Sequence, residues 1–376
     1  MLIEAYRKTI ETCRFCHMCK IACTVGNITK NESNYPRGKA LILFTILQKR
    51  REWDEDTVER IYQCDICGLC KDWCISDYDI PELIIAARAD IVNSGKITTR
   101  FSEIYKNIKK TGNPYPIVTN NDELKIVIDK KKSKIGKRTE TMYFIDGTTF
   151  YHPEIVKATI KILNYAEIEF TILYKENSHI KLLYQLGFWK EAEKLAKENT
   201  KIINEADCEM IIISDADEYL AFKRDYSKLG ASLNSNIKIM HLSEYISLLL
   251  QKNKLSFSKE INKTVTYHDP SALGRYLKVY EAPRQIIKAV PGVKFKEMRW
   301  NKNKAHCCGA SGGLLFTNPE IATKAAEKII EEAIEIEAEI ILTASPLCKQ
   351  SLINCKRPKS SGIKIYDIIE FAAKSL

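Results

Sequence analysis

Eight of the thirteen cysteines stand in two runs with the same internal spacing. The first run is Cys13, Cys16, Cys19 and Cys23; the second is Cys64, Cys67, Cys70 and Cys74. Both read C-x2-C-x2-C-x3-C, in which one short loop wraps three corners of a cubane [4Fe–4S] cluster and the fourth cysteine crosses to the other cluster. The spacing predicts one cluster on Cys13, Cys16, Cys19 and Cys74. It predicts a second on Cys64, Cys67, Cys70 and Cys23. Zinc sites instead draw their ligands as pairs, with roughly 12–20 residues between pairs. A disulfide framework is disfavoured by the odd cysteine count and by a reducing compartment. Two adjacent clusters define a path for single electrons. Lys20 and Lys71 beside the runs would raise the potentials modestly, and His17 is read as a surface residue because the cysteine set is already complete.

The elements that hold these runs read as helices. Between the runs, "YPRGKALILFTILQKRREW" (35–53) carries apolar positions that suit a buried helix. After the second run, "PELIIAARADIVNSGK" (81–96) has Pro81 near its first turn and Gly95 beyond its end. The cluster domain therefore reads as an α-helical ferredoxin, not the βαβ type. Its expected extent is 1–100. A linker over 101–140 follows, containing the turn-rich "TGNPYP" (111–116) and the basic run 129–138.

The remainder repeats itself. "TMYFIDGTTFYHPEIV" (141–156) parallels "TVTYHDPSALGRYLKV" (264–279). "CEMIIISDADEYLAF" (208–222) parallels "AEIILTASPLCKQSL" (338–352), and "NIKIMHLSEYISLL" (236–249) parallels "GIKIYDIIEFAAKS" (362–375). Three pairs in the same order indicate a tandem duplication, over 141–255 and 256–376. In the second copy "VTYHD", "KFKEMRW", "IILTAS" and "IKIYD" read as strands, and residues 320–339 as an amphipathic helix. Strands alternating with helices predict parallel, helix-covered sheets. The expected fold class is α+α/β: an α-helical ferredoxin domain followed by two tandem α/β repeats. Sites in such sheets form in the loops at the carboxyl ends of strands.

With 376 residues and a net charge of +10, the chain suits two or three domains and a solvated, lysine-rich surface. The basic run is not interleaved with aromatics, so no nucleic-acid partner is expected. The amphipathic start and the shortness of every apolar stretch predict a cytoplasmic protein, at most peripheral at a membrane through partners.

"NKAHCCGASGG" (303–313), "TASPLC" (343–348) and "YHDPSALGR" (267–275) fall in such loops. With the two cysteine runs, "YPRGKA" and "NPY", they resemble the cysteine-rich CCG-domain family. That family includes the iron–sulfur subunits of heterodisulfide reductase, of glycolate oxidase and of anaerobic glycerol-3-phosphate dehydrogenase. The family's full motif is one cysteine, a Cys-Cys pair and C-P-x-C, a set that holds an unusual iron–sulfur cluster. Here the pair is kept as Cys307 and Cys308, but the first cysteine is Ser271 and C-P-x-C is Ser345-Pro346-Leu347-Cys348. In the first copy Gly147, Ser178, His179, Asp215 and Glu218 stand at motif positions, so this copy is expected to be structural. Asp215, Asp217, Glu218 and His179 are alternatively read as ligands of a divalent ion. Cys208 reads as a core thiol. Cys307, Cys308 and Cys348 are candidate ligands of a third site, for zinc or a further cluster, with His306 and Cys355 as auxiliaries.

The resemblance implies an electron-transfer subunit. It would pass electrons between a flavoprotein dehydrogenase, of the hydroxy-acid or glycerol 3-phosphate type, and a quinone or other carrier. The chain shows no G-x-G-x-x-G or Walker loop of its own. The alternatives are a heterodisulfide or disulfide reductase acting at the CCG site, and a non-redox zinc or nucleic-acid-binding protein.

Overall fold

The computed structural model describes residues 1–111, 114, 139–175, 178–206, 208–355 and 362–376. The N-terminal part is helical. Its helices are Arg7–Cys13, Thr24–Thr29, Pro36–Leu47, Glu55–Tyr62, Leu69–Asp72, Ile80–Asn93 and Thr99–Thr111. Local chemistry sets their starts. Pro36 opens one helix at its first turn. Asp54 and Asp79 cap two others by accepting from the backbone N–H of Thr57 and Glu82. Ile80–Asn93 is buried on every face along most of its length, so it is the axis on which the others pack. Asp90 on this helix accepts from the amides of Leu2 and Ile3 and anchors the N-terminal segment.

The stretch expected as linker begins as helix. Thr99–Thr111 is held by apolar contact: Phe101 stacks on Tyr62 at 4.3 Å and Tyr105 on Phe188 at 4.7 Å. The polar residues of this segment mask the buried face that Phe101, Ile104 and Ile108 share, which is why the sequence reads as linker here. The rest of "TGNPYP" apart from Thr111 and Pro114, and the run 129–138, lie outside the described residues.

Two four-stranded sheets follow, all parallel. The first orders its strands β2-β1-β3-β4, with β1 Thr139–Ile145, β2 Phe170–Tyr174, β3 Cys208–Ile213 and β4 Lys238–His241. The second orders them β6-β5-β7-β8, with β5 Thr264–His268, β6 Lys294–Phe295, β7 Ile340–Thr343 and β8 Lys364–Asp367. The two orders are the same, and the three repeated sequence pairs fall on β1 and β5, β3 and β7, β4 and β8. The fold is thus α+α/β with two parallel sheets. β6 is shorter than the expected strand "KFKEMRW": only two residues pair, with Thr264 and Val265. Beyond it the chain leaves the sheet to form the cysteine-pair loop.

In each sheet the chain moves from the first strand to one side, then crosses to the other. The crevice between β1 and β3, and between β5 and β7, is therefore a topological switch point at which facing loops leave room for a site. The helical part sits against these loops. Arg88 is fully buried and donates to the carbonyls of Tyr62 and Cys64, to Gln185 of the first repeat and to Gly312 of the second.

Candidate functional site

The eight N-terminal cysteines converge as two sets. Cys13 lies in the electrostatic neighbourhood of Cys16, Cys19 and Cys74. Cys70 lies near Cys64, Cys67 and Cys23, and also near Cys19 of the other set. Each run thus sends its last cysteine to the other. Cys23 is placed by its position as cap of helix Thr24–Thr29, its sulfur accepting from the Gly26 amide at 3.3 Å. Cys74 is fixed in the same manner by the Tyr78 amide at 3.4 Å.

The two sets differ in surroundings. Around the first, Cys16 is exposed, and Phe15, Met18, Ile21 and Ile75 are respectively 68 %, 56 %, 65 % and 83 % exposed. The second is enclosed. Arg275 donates to the Cys67 carbonyl at 2.7 Å, and the Tyr276 hydroxyl to the Ile66 carbonyl at 2.7 Å. The Cys307 thiol of the second repeat hydrogen-bonds Cys67. Ala22, Cys67, Leu69 and Cys307 form a small apolar cluster of their own.

Burial pushes the Cys13 thiol up to about 12 and Cys19 to about 11, and lifts Cys23 and Cys70 well above the usual thiol range. The hydrogen bond with Cys307, and then burial, do the same for Cys67. Such thiols become thiolates only when a cation replaces the proton. Two buried cations face the second set. Lys39 is 2 % exposed, donates to the Arg60 carbonyl, and is lowered to about 8 by burial although Cys64 and Cys23 oppose the shift. No salt bridge joins Lys39 or Arg88 to a carboxylate among the described residues, and the buried Asp65 acts on Arg88 only from a distance. A buried charge needs a countercharge, and four thiolates around an iron–sulfur core carry net negative charge. The residues present therefore fit a group of that kind.

Sequence reasoning points instead to Lys20 and Lys71. Lys20 pairs with Glu32 and Lys71 with Asp79, so their charge is largely offset. In the sequence Lys39 is one letter of "YPRGKA" and Arg88 one of "AARAD"; neither has a spacing that marks it.

In the second repeat, His268, Cys308 and Cys348 come together, with one ligand atom of each within 4.8 Å of the others. Cys307 is not in that group. The expected set of Cys307, Cys308 and Cys348 is thus split, with the Cys307 thiol lying between Cys308, which it hydrogen-bonds, and Cys67. His306 is also elsewhere: its Nδ1 lies 3.3 Å from Glu332 and its ring 4.8 Å from Trp300. Cys355 is buried and outside the trio. Sequence reasoning misses His268; it ends β5, where the switch point places it, but no cysteine spacing points to it.

The first repeat fills the same place with oxygen. Glu218 accepts from Ser178 and Tyr226, both at 3.2 Å, and Asn199 donates to Ser178 and Tyr226. Asp146 and Asp215 cap the turns after β1 and β3. Burial and mutual repulsion raise Asp215 well above the usual range and bring Glu218 to about 8. His179, Asp215, Asp217 and Glu218 line a cavity of about 20 Å³ and form no tight ligand group among the described residues. Cys208 opens β3 and is buried.

These features define a cysteine-rich iron–sulfur class of protein. Residues 265–353 match the family model "Cysteine-rich domain" (CCG). One of the subunits of dihydromethanophenazine:CoB–CoM heterodisulfide reductase from Methanosarcina barkeri is 31% identical over 329 residues, spanning 86% of this chain and 79% of that protein. The chain belongs to the CCG cysteine-rich iron–sulfur family. Other relatives include the probable iron–sulfur-binding oxidoreductase FadF of Bacillus subtilis, 28% identical across 86% of this chain and 47% of that protein. One of the subunits of a fumarate reductase (CoM/CoB) from Methanothermobacter marburgensis is 24% identical, covering 83% and 61%. A hypothetical protein from Helicobacter pylori shares the fold, with a TM-score of 0.58 at 11% identity over the whole of this chain and 76% of its own. No helix among the described residues is long and apolar enough to cross a membrane.

Proposed function

We propose that the chain is the iron–sulfur electron-transfer subunit of a multisubunit oxidoreductase. Cys13, Cys16, Cys19 and Cys74 would hold one [4Fe–4S] cluster, and Cys64, Cys67, Cys70 and Cys23 the other. Bound there, the clusters supply one-electron acceptors and donors. The observation that carries the reading is the asymmetry of the two sets. One opens to the surface within a ring of Phe15, Met18, Ile21 and Ile75; the other is walled in by Arg275, Tyr276 and Cys307.

The chain's own residues then have separable tasks. The exposed apolar ring suits a protein partner, since such side chains are costly to leave in water. A flavoprotein dehydrogenase of the hydroxy-acid or glycerol 3-phosphate type is the partner we favour, with a quinone or another carrier as the second redox partner. Lys39 and Arg88 offset negative charge at the inner set and keep water from having to do so. Arg275 and Tyr276 hold the backbone of the second run against the second repeat. The heterodisulfide reductase and fumarate reductase relatives are each one component of a larger enzyme, which supports a multisubunit setting. The domain limits 1–100, 141–255 and 256–376 belong to the same proposal, as does a cytoplasmic location.

Iron and acid-labile sulfide on anaerobically purified chain test it, with about eight of each expected for two cubanes. Cys67→Ser should remove or convert the inner cluster and stop electron passage while the partner's flavin remains reducible. Undiminished passage through Cys67→Ser would overturn the relay.

A further inference from the structure

The second cysteine set lines one cavity. Cys23, Cys64, Cys67 and Cys70 share it with Lys39, Thr24 and Asp65. Lys39 belongs to helix Pro36–Leu47, and its place there is tightly set: the neighbouring Gly38 packs so closely on the Glu32 carbonyl that no Cβ fits. Lys39 is held at the cavity wall and is 2 % exposed.

Polar atoms are left over at this wall. The Thr24 hydroxyl and Asp65 Oδ2 are buried without a hydrogen-bond partner. The Lys39 ammonium has three N–H donors, and the Arg60 carbonyl is the acceptor found for them among the described residues. Arg88 differs. All three of its guanidinium nitrogens donate to carbonyls, those of Ile61, Tyr62, Cys64, Gln185 and Gly312. Its task is to join parts of the chain. Lys20 and Lys71, beside the runs in sequence, are partly in water and paired with Glu32 and Asp79.

Reduction adds one negative charge to whatever the four inner thiolates hold. At an exposed site water answers that charge; a desolvated site must find the answer in the protein. The outer set, with Cys16 exposed, has solvent at hand. The inner set does not, and Asp65, the buried carboxylate of the same cavity, opposes the added charge. We propose that the Lys39 ammonium sets the potential of the group bound by Cys23, Cys64, Cys67 and Cys70, as the buried countercharge that lets the inner set accept an electron. The step it serves moves one electron: the outer cluster is oxidised by one, the inner is reduced by one, and no proton or bond changes place. Lys39 touches no reactant and is a positioning residue. The inference rests on the electron-transfer reading and adds to it what makes the inner step possible.

Redox titration of the full chain, purified anaerobically and followed by electron paramagnetic resonance, tests this, with iron counted in every sample. The signal altered in Cys67→Ser identifies the inner cluster. Lys39→Gln removes the charge and keeps a donor for the Arg60 carbonyl. Two unit charges ~10 Å apart at an effective dielectric of ~20 already shift an equilibrium about tenfold. At a fixed ambient potential the ratio of reduced to oxidised inner cluster should therefore fall at least about tenfold in Lys39→Gln, ~59 mV for one electron, while the outer ratio changes less than about twofold. Lys39→Arg should hold the inner ratio within about twofold of wild type, and Lys71→Gln, which removes a solvated and paired charge, should move neither ratio further than that. An inner ratio unmoved in Lys39→Gln, both clusters shifted alike, or a Lys71→Gln effect as large as that of Lys39→Gln would overturn the assignment. If Lys39→Gln loses the inner iron, Lys39→Arg decides: about eight irons at the wild-type inner potential uphold the countercharge, and loss of iron there too overturns it. A wild-type chain without iron sinks the electron-transfer reading and this inference with it; full iron with an unmoved inner ratio sinks this inference alone.

Discussion

Glu218 and Cys348 hold equivalent positions, each three residues past the cap of the helix that follows the third strand of its repeat. One is a carboxyl in a closed network with Ser178, Tyr226 and Asn199; the other is a thiol beside His268 and Cys308. Burial, reinforced by the charge of Asp146, raises the Glu218 carboxyl to about 8 from an ordinary 4.5. The folded chain therefore keeps a proton that the unfolded chain releases. This costs nothing below pH about 4.5, and stability falls as pH rises through the interval up to about 8, with a limiting slope near 1.4 kcal/mol per pH unit for one group. Asp367, raised by burial to about 7, adds to the same trend. Glu218→Gln retains the acceptor for Ser178 and Tyr226 but cannot ionise. Urea midpoints between about pH 5 and 8 should fall with pH in the wild type and fall less in Glu218→Gln; equal slopes would show that the carboxyl is already ionised in the folded chain.

At the scale of elements, the cysteine-pair loop and the second cysteine run are shaped to each other through one glycine. Gly312 has φ +68°, and a Cβ on it would lie 2.6 Å from the Asp65 carbonyl carbon, one residue from Cys64. Gly95 has the same φ, yet a Cβ there meets nothing within 4 Å. The pair separates backbone strain from contact. Gly95→Ala should cost about 1 kcal/mol, the left-handed penalty alone. Gly312→Ala should cost at least about 2 kcal/mol, because backbone and not a flexible side chain must give way, and should lower iron bound at the second run. Thermal unfolding and iron content of the two variants, measured together, check this; equal losses would mean that the contact is easily relieved.

The whole molecule is joined at Arg88. Its guanidinium reaches carbonyls in the helical part, at 3.1 Å to Tyr62 and 2.7 Å to Cys64, in the first repeat at Gln185, 3.0 Å, and in the second at Gly312, 2.7 Å. Tyr62 adds a hydroxyl bond to Leu186 at 2.7 Å, and Lys349 bridges Glu154 and Glu370 across the repeats. Arg88→Met leaves several buried carbonyls without donors, and each such group costs about 1–3 kcal/mol. A loss of at least about 3 kcal/mol is expected, with unfolding that ceases to be a single transition. Calorimetry and limited proteolysis would read both. A single transition at the wild-type temperature would mean that Arg88 does not couple the parts.

Much of this was legible from the chain alone, for a physical reason. Cubane-type ligand spacing is local, so the proposed ligand runs Cys13 through Cys23 and Cys64 through Cys74 stand out within a dozen residues each. Strand and helix periods are local too, so the duplication and the parallel α/β repeats could be read from "NIKIMH" and "GIKIYD" before any contact was known. What is long-range was not legible. Helix Thr99–Thr111 exists because Tyr62 and Phe188, distant in sequence, cover its apolar face. Lys39 and Arg88 matter because burial strips them of solvent beside Cys64, and burial is a property of the packed chain. His268 joins Cys308 and Cys348 only because the sheet order sets the end of β5 beside the loop after β7. Residue types and short spacings determined what chemistry this protein carries; the strand crossover and the packing of the helical part on the repeats decided which residues share a site.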